Sequence, residues 1–208
     1  MINVVTKLPA FFFALVCSAN AIAQTSAVEI TPFVGYQAGG SASSFDGSLA
    51  ILADVNYGVA VDVRVTPDTT LQLLYNRQVT DVDIRIHDIF ETIRLQEGLA
   101  VDYYHFGGTV EFPRERLRPY FALTVGATRF DLAREGVRDE WRFSIGFGGG
   151  FKTYVSDRFG FRVDGRILPT FVNTNGGFFC SLPGGCLVSI SSDFIVQANA
   201  SFGVFFGF

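Results

Sequence analysis

Residues 194–208 read FIVQANASFGVFFGF, and their alternation decides the fold. Every even position is apolar: Phe194, Val196, Ala198, Ala200, Phe202, Val204, Phe206 and Phe208. The odd positions carry Gln197, Asn199, Ser201, Gly203 and Gly207, with Ile195 and Phe205 as exceptions. Side chains alternate across a strand, so one face is oily and the other small or polar. An oily face this long suits lipid, and a small polar face suits the tight interior of a closed barrel. The stretch is the expected closing strand of a transmembrane β-barrel.

Working back through the chain, seven more segments share this alternation. The first runs from about Glu29 to Gln37. The second sets Tyr57, Val59, Val61, Val63 and Val65 against Asn56, Gly58, Ala60, Asp62, Arg64 and Thr66. The third sets Leu71, Leu73, Tyr75 and Val79 against Gln72, Asn76 and Gln78. The fourth sets Tyr104, Phe106, Gly108, Val110 and Phe112 against Tyr103, His105, Gly107, Thr109 and Glu111. The fifth carries Phe121, Leu123, Val125 and Ala127 on the oily face, the sixth Trp141, Phe143, Ile145, Phe147 and Phe151, and the seventh Phe159, Phe161, Val163, Ile167 and Phe171. Eight antiparallel strands in up-and-down order follow, joined by three short turns and by long connections at 39–55, 81–98, 131–140 and 172–192. Short turns on one side and long loops on the other are the pattern of bacterial outer-membrane barrels. Aromatic girdles are expected below (Phe112, Tyr120, Phe121, Tyr154, Phe159, Phe206, Phe208) and above (Phe130, Trp141, Phe171, Phe194). A soluble lipocalin-like barrel would bury its apolar face, and the inward charges are too many for an apolar calyx.

The front of the chain reads as a secretory signal peptide, residues 1–23. Lys7 supplies the positive start, residues 8–16 (LPAFFFALV) the apolar core, and Ala21-Ile22-Ala23 the cleavage site. Residues 24–208 then form one barrel domain. Cys17 does not make a lipoprotein signal, because Val16 stands where a small residue is required. Losing Lys7 takes the formal charge from −4 to −5. With no basic patch, nucleic acid is not an expected partner. The 23 Phe and 22 Gly against one Met fit lipid-facing and crowded inward positions.

The chain resembles the small outer-membrane β-barrel proteins of the OmpA/OmpX-like group over its whole mature length. The resemblance is carried by Thr31-Pro32-Phe33-Val34-Gly35-Tyr36, Tyr103-Tyr104-His105-Phe106-Gly107-Gly108, Arg118-Pro119-Tyr120-Phe121-Ala122-Leu123 and the terminal Phe208. It implies a Gram-negative outer-membrane location and monomeric lipid-embedded barrels. It also implies partners in outer-membrane lipid and lipopolysaccharide, and recognition by the barrel-assembly machinery through the last strand and Phe208. It assigns no activity, since such proteins include structural and adhesive ones.

Asp62, Arg64, Glu111, Lys152, Arg162, Asp164 and Arg166 point inward. Eight strands leave an interior just wide enough for side chains, so these charges are expected to pair into a plug; a narrow ion path lined by the same residues is the alternative. A lipid A-modifying enzyme would need a lipid-facing Ser–His pair. His105 has inward parity and His87 sits in the second long connection, so no catalytic residue is assigned. Two histidines and two mature cysteines make no zinc site, and no cofactor is expected. The run Gly146-Phe147-Gly148-Gly149-Gly150-Phe151-Lys152-Thr153 is not a phosphate loop, because Phe151 precedes Lys152; its glycines make space for inward neighbours. Cys180 and Cys186 flank Pro183-Gly184-Gly185 and are expected to form a disulfide in an exposed loop, where nearby Phe178, Phe179, Leu187 and Val188 would suit an adhesive tip. In the second connection Val82, Ile84 and Ile86 alternate with Asp83, Arg85 and His87, so strands three and four should continue above the membrane. The apolar parity changes from odd to even near Thr80-Asp81, where a bulge is expected. The expected role is structural or interactive, with a surface ligand at the outer loops, as envelope integrity or adhesion requires.

Overall fold

The computed structural model describes residues 26–44, 47–87, 92–112, 117–134, 136–172, 177–181, 185–189 and 194–208, with side chains described except at 43–44, 47, 86–87, 92–93, 177–181 and 185–189. The proposed signal segment 1–23 and the side chains of His87, Cys180 and Cys186 lie outside the described residues.

Among the described residues twelve strands form: β1 (Val28–Ala38), β2 (Ser41–Ser44), β3 (Gly47–Ile51), β4 (Asp54–Thr66), β5 (Thr69–His87), β6 (Thr92–Glu111), β7 (Leu117–Leu132), β8 (Glu140–Ser156), β9 (Phe159–Phe171), β10 (Gly177–Ser181), β11 (Gly185–Ser189) and β12 (Phe194–Gly207). Eight of them, β1, β4 to β9 and β12, form a closed antiparallel barrel. Pairing of β1 with β12 closes it, from Glu29 opposite Gly207 to Ala38 opposite Ala198. Closure leaves no unpaired edge, which a strand structure surrounded by lipid requires. The short turns follow from local chemistry. Pro67 and Asp68 turn β4 into β5, and Asp157 and Arg158 turn β8 into β9.

The alternation reads directly onto the two faces. Leu123, Phe147, Val163, Phe202 and their outward neighbours are half exposed, while Gln72, Asp62, Thr124, Lys152 and Arg166 on the opposite parity are buried. A soluble protein would reverse this. The exterior is therefore solvated by hydrocarbon, and hydrogen bonds and ion pairs hold the interior.

The first long connection, 39–55, is more ordered than its sequence indicates. It folds into the β2–β3 hairpin, and β3 adds to the upper part of β5, Gly47 opposite Ile86 through Ile51 opposite Val82. With β5 and β6 spanning 19 and 20 residues against 11 for β1, a one-sided extracellular wall rises above the barrel. A membrane crossing needs only about 9–11 residues per strand.

No bulge interrupts β5 and β6 at Thr80-Asp81. Their register is continuous from Thr69 opposite Val110 to His87 opposite Thr92. The parity of the fold is constant; the medium outside changes. Below Thr80 the exterior meets lipid and the interior is polar. Above it the exterior meets water, so apolar residues move inside. Val82, Ile84, Leu49, Ile51, Leu99, Val101, Tyr103, Phe130, Leu132, Leu168, Val172 and Ile195 form a buried apolar cluster there. This explains Ile195, one of the two exceptions in the last strand. The other, Phe205, is fully buried near the periplasmic end, its ring 4.7 Å from that of Tyr154.

Three expected girdle residues are also inside. Phe130 has no exposed surface, Tyr120 is buried, and Tyr154 reaches Glu29 within the lumen. Strand-end position suggested a girdle for all three, but parity decides which face each takes. Phe112, Phe121, Phe206 and Phe208 below, and Trp141, Phe171 and Phe194 above, are exposed to the surroundings.

Candidate functional site

The lumen is the most densely charged part of the molecule. Asp62, Arg64, Glu111, Lys152, Arg162, Asp164 and Arg166 all face inward and all make ion pairs. Lys152, on β8, is fully buried. Its Nζ lies 2.7 Å from Glu29, 2.8 Å from Glu111 and 3.5 Å from Asp62. Arg64 joins Glu29 at 3.1 Å, and Arg118 approaches Glu111 at 3.6 Å from the periplasmic mouth. One layer higher, Arg162 reaches Asp62 at 2.7 Å and Arg166 reaches Asp164 at 2.6 Å. Gln72 bridges the layer, donating to Asp62 at 2.6 Å and accepting from Arg166 at 2.6 Å. The Tyr120 hydroxyl donates to Asp164 and accepts from Arg162 at 2.7 Å.

Glu29, Gln72, Arg118, Tyr120 and Tyr154 complete this network and were not among the seven charges picked from sequence. Glu29 sits at the frayed start of a strand pattern. The aromatic hydroxyls look like girdle members until their parity is followed. The network leaves little space: the cavity bordered by Phe33, Leu74, Arg162, Arg166 and Asn199 has a volume of ≈ 10 Å³. Space on that scale holds about one water. The glycines of β8 make the packing possible. A Cβ at Gly148 would stand 2.8 Å from the Arg166 stem, and one at Gly150 would stand 2.9 Å from the Tyr120 hydroxyl.

Above the ions lies an uncharged polar layer. His105 sits between the Thr124 hydroxyl at 3.0 Å and the Ser144 hydroxyl at 2.8 Å, and Ser144 accepts from Thr128 at 2.8 Å. Both His105 and Ser144 are buried on the lumen face, so this Ser–His contact does not meet lipid. Gln37, Asn76, Gln78 and Gln197 follow, with Tyr103 donating to Gln197 at 2.6 Å. Tyr103 also belongs to the apolar cluster above this layer. In the last loop, β10 and β11 pair with Cys180 directly opposite Cys186.

No protein-family model and no curated protein matches the chain. Solved structures do. The neisserial surface protein A structure aligns with a TM-score of 0.57 over 88% of this chain and 98% of that one, at 12% identity. The outer membrane protein AlkL aligns with a TM-score of 0.53 over 91% and 94%, also at 12% identity. The chain has the fold of the small outer-membrane β-barrels. At this identity the likeness covers architecture alone. The barrel thus shares their architecture, an apolar exterior around a charged, packed interior.

Proposed function

We propose that this outer-membrane barrel is a closed, non-conducting scaffold that holds an extracellular β-wall and loops at the cell surface, in envelope integrity or adhesion. The observation that carries the reading is double closure of the lumen. Ion pairs pack the membrane section, and a buried apolar cluster lies above them toward the extracellular end. An ion entering that cluster would give up its hydration without a polar substitute. The His105–Ser144 contact supports no lipid-directed chemistry, because both residues are held inside by Thr124 and Thr128.

The mature scaffold starts at Gln24 after removal of 1–23, acts as a monomer, and reaches the membrane through assembly-machinery recognition of β12 and Phe208. Cys180 and Cys186 brace the last loop as a disulfide; directly opposed strand positions lie within the Cα span such a bond needs.

Single-channel recording of the refolded barrel in planar bilayers tests the reading, with heat-shifted gel mobility establishing that it has folded. Silence is the expected result. Discrete, reproducible conductance steps would replace the scaffold with a narrow pore and make the lumen charges its filter.

A further inference from the structure

The outward face of the β5–β6 wall continues the lipid-facing parity of the barrel, and its chemistry changes in tiers. At the membrane boundary the rings of Tyr75, Tyr104 and Trp141 follow one another with centroids 5.1 and 5.6 Å apart. Directly above, Arg77 lies 3.2 Å and Arg129 3.6 Å from Asp102, which also accepts from Tyr75 at 2.9 Å. Asp102 has no exposed side-chain surface, whereas Arg77 keeps 31%. Arg129 is further neutralised by Asp131 at 3.2 Å and Asp139 at 2.6 Å. With Asp102 answering Arg77, this tier carries no excess positive charge.

Eight residues farther along β5, Arg85 stands directly opposite Arg94 of β6. Both are exposed and border a concavity of ≈ 320 Å³ together with Asp83, Ile84, Leu95 and Gln96. Neither guanidinium has an ion-pair partner among the described residues; Asp83 shares the rim, and Gln96 donates to Asp81 at 3.2 Å instead. Like charges directly opposed across two strands destabilise the pair. A multiply charged anion seated between them reverses that penalty, and a pair of guanidinium forks suits phosphate oxygens.

We propose that this face binds lipopolysaccharide, the Arg85–Arg94 pair meeting phosphates of the core sugars. The inference rests on the surface-scaffold reading and names its partner. The face points sideways above the hydrocarbon, at the hydrated level where the sugars of this glycolipid are the neighbour. At about 3.3 Å per residue and a strand tilt of about 40°, the two tiers stand roughly 20 Å apart along the membrane normal. That spacing reaches from the lipid A headgroup into the core oligosaccharide.

The test titrates the refolded barrel in detergent micelles with three probes: lipopolysaccharide with a phosphorylated core and no O-chain, the same material after chemical dephosphorylation, and lipid A. The R85A/R94A double variant is expected to bind the phosphorylated-core probe at least about tenfold more weakly, while its affinity for lipid A is unchanged. R158A, at the exposed periplasmic turn, is the control and should bind all three normally. Heat-shifted mobility establishes that each variant is folded. Unchanged binding by the double variant, equal binding of the dephosphorylated probe, or an equal loss in R158A would overturn the proposal. So would a sulfated oligosaccharide outcompeting the glycolipid at Arg85 and Arg94. None of these outcomes bears on whether the lumen conducts, so the scaffold reading stands or falls separately.

Discussion

Lys152 donates to Glu29 and Glu111 and lies 3.5 Å from Asp62, with no side-chain surface exposed. A cation so placed is the common partner of three carboxylates in a space with hardly any water. Replacing it with methionine keeps the volume and removes the charge. Breaking one side of a buried ion pair costs about 3–5 kcal/mol, because the remaining charges stay buried without compensation. Lys152→Met should therefore lower the urea midpoint for unfolding from lipid vesicles by that scale. A midpoint equal to the wild type would mean that water reaches the carboxylates and that the plug contributes little. Parity placed Lys152 inside from sequence. Its three partners come from β1, β4 and β6, and no local pattern could have named them.

The wall formed by β2, β3, β5 and β6 shows how one strand can obey two rules. Residues of β5 below Thr80 put polar side chains inside, and Val82 and Ile84 above it put apolar ones inside, in a single unbroken register. Phe130 of β7 belongs to the upper regime and packs in the cluster over the lumen. Phe130→Ala is expected to cost about 3–5 kcal/mol, as a large-to-small change in a packed core does. Because the cluster stands above the membrane, the loss should appear as faster amide exchange in β3, β5 and β6, with protection in the membrane section retained. Equal loss of protection throughout would mean that wall and barrel unfold as one unit. The β10–β11 hairpin offers a second check on this scale. Alkylation of denatured protein should leave Cys180 and Cys186 unmodified until a reductant is added; modification without reductant would remove the disulfide.

Over the whole molecule, the same outward face passes from hydrocarbon to water, and substitutions on it should report the boundary. Leu123, 63% exposed on β7, faces lipid. Leu123→Arg is expected to cost about 2–4 kcal/mol near the midplane. Gln96→Arg, on the outward face of the wall, should change stability by no more than about 0.5 kcal/mol, as exposed surface changes do. Comparing urea midpoints of the two variants in lipid vesicles checks the assignment. Similar small costs at both positions would mean that Leu123 is not in hydrocarbon.

The sequence alone determined the closed, eight-stranded, inside-polar barrel, because a period of two with lipid on one side leaves its mark in every crossing strand, as in residues 194–208. It also determined that seven charges, Lys152 among them, turn inward, since parity is a local property, though Glu29 and Arg118 joined them only in the structure. Tertiary structure alone decided the rest. The parity change at Thr80 marks a change of solvent, Tyr120 and Phe130 belong inside, and residues 39–55 add a hairpin to the wall. Lys152, Arg162 and Arg166 acquire their carboxylate partners in the same way. Each of these depends on which strand lies beside which, at what height, and in what medium. Those are long-range facts, and the alternation of a single strand carries no information about them.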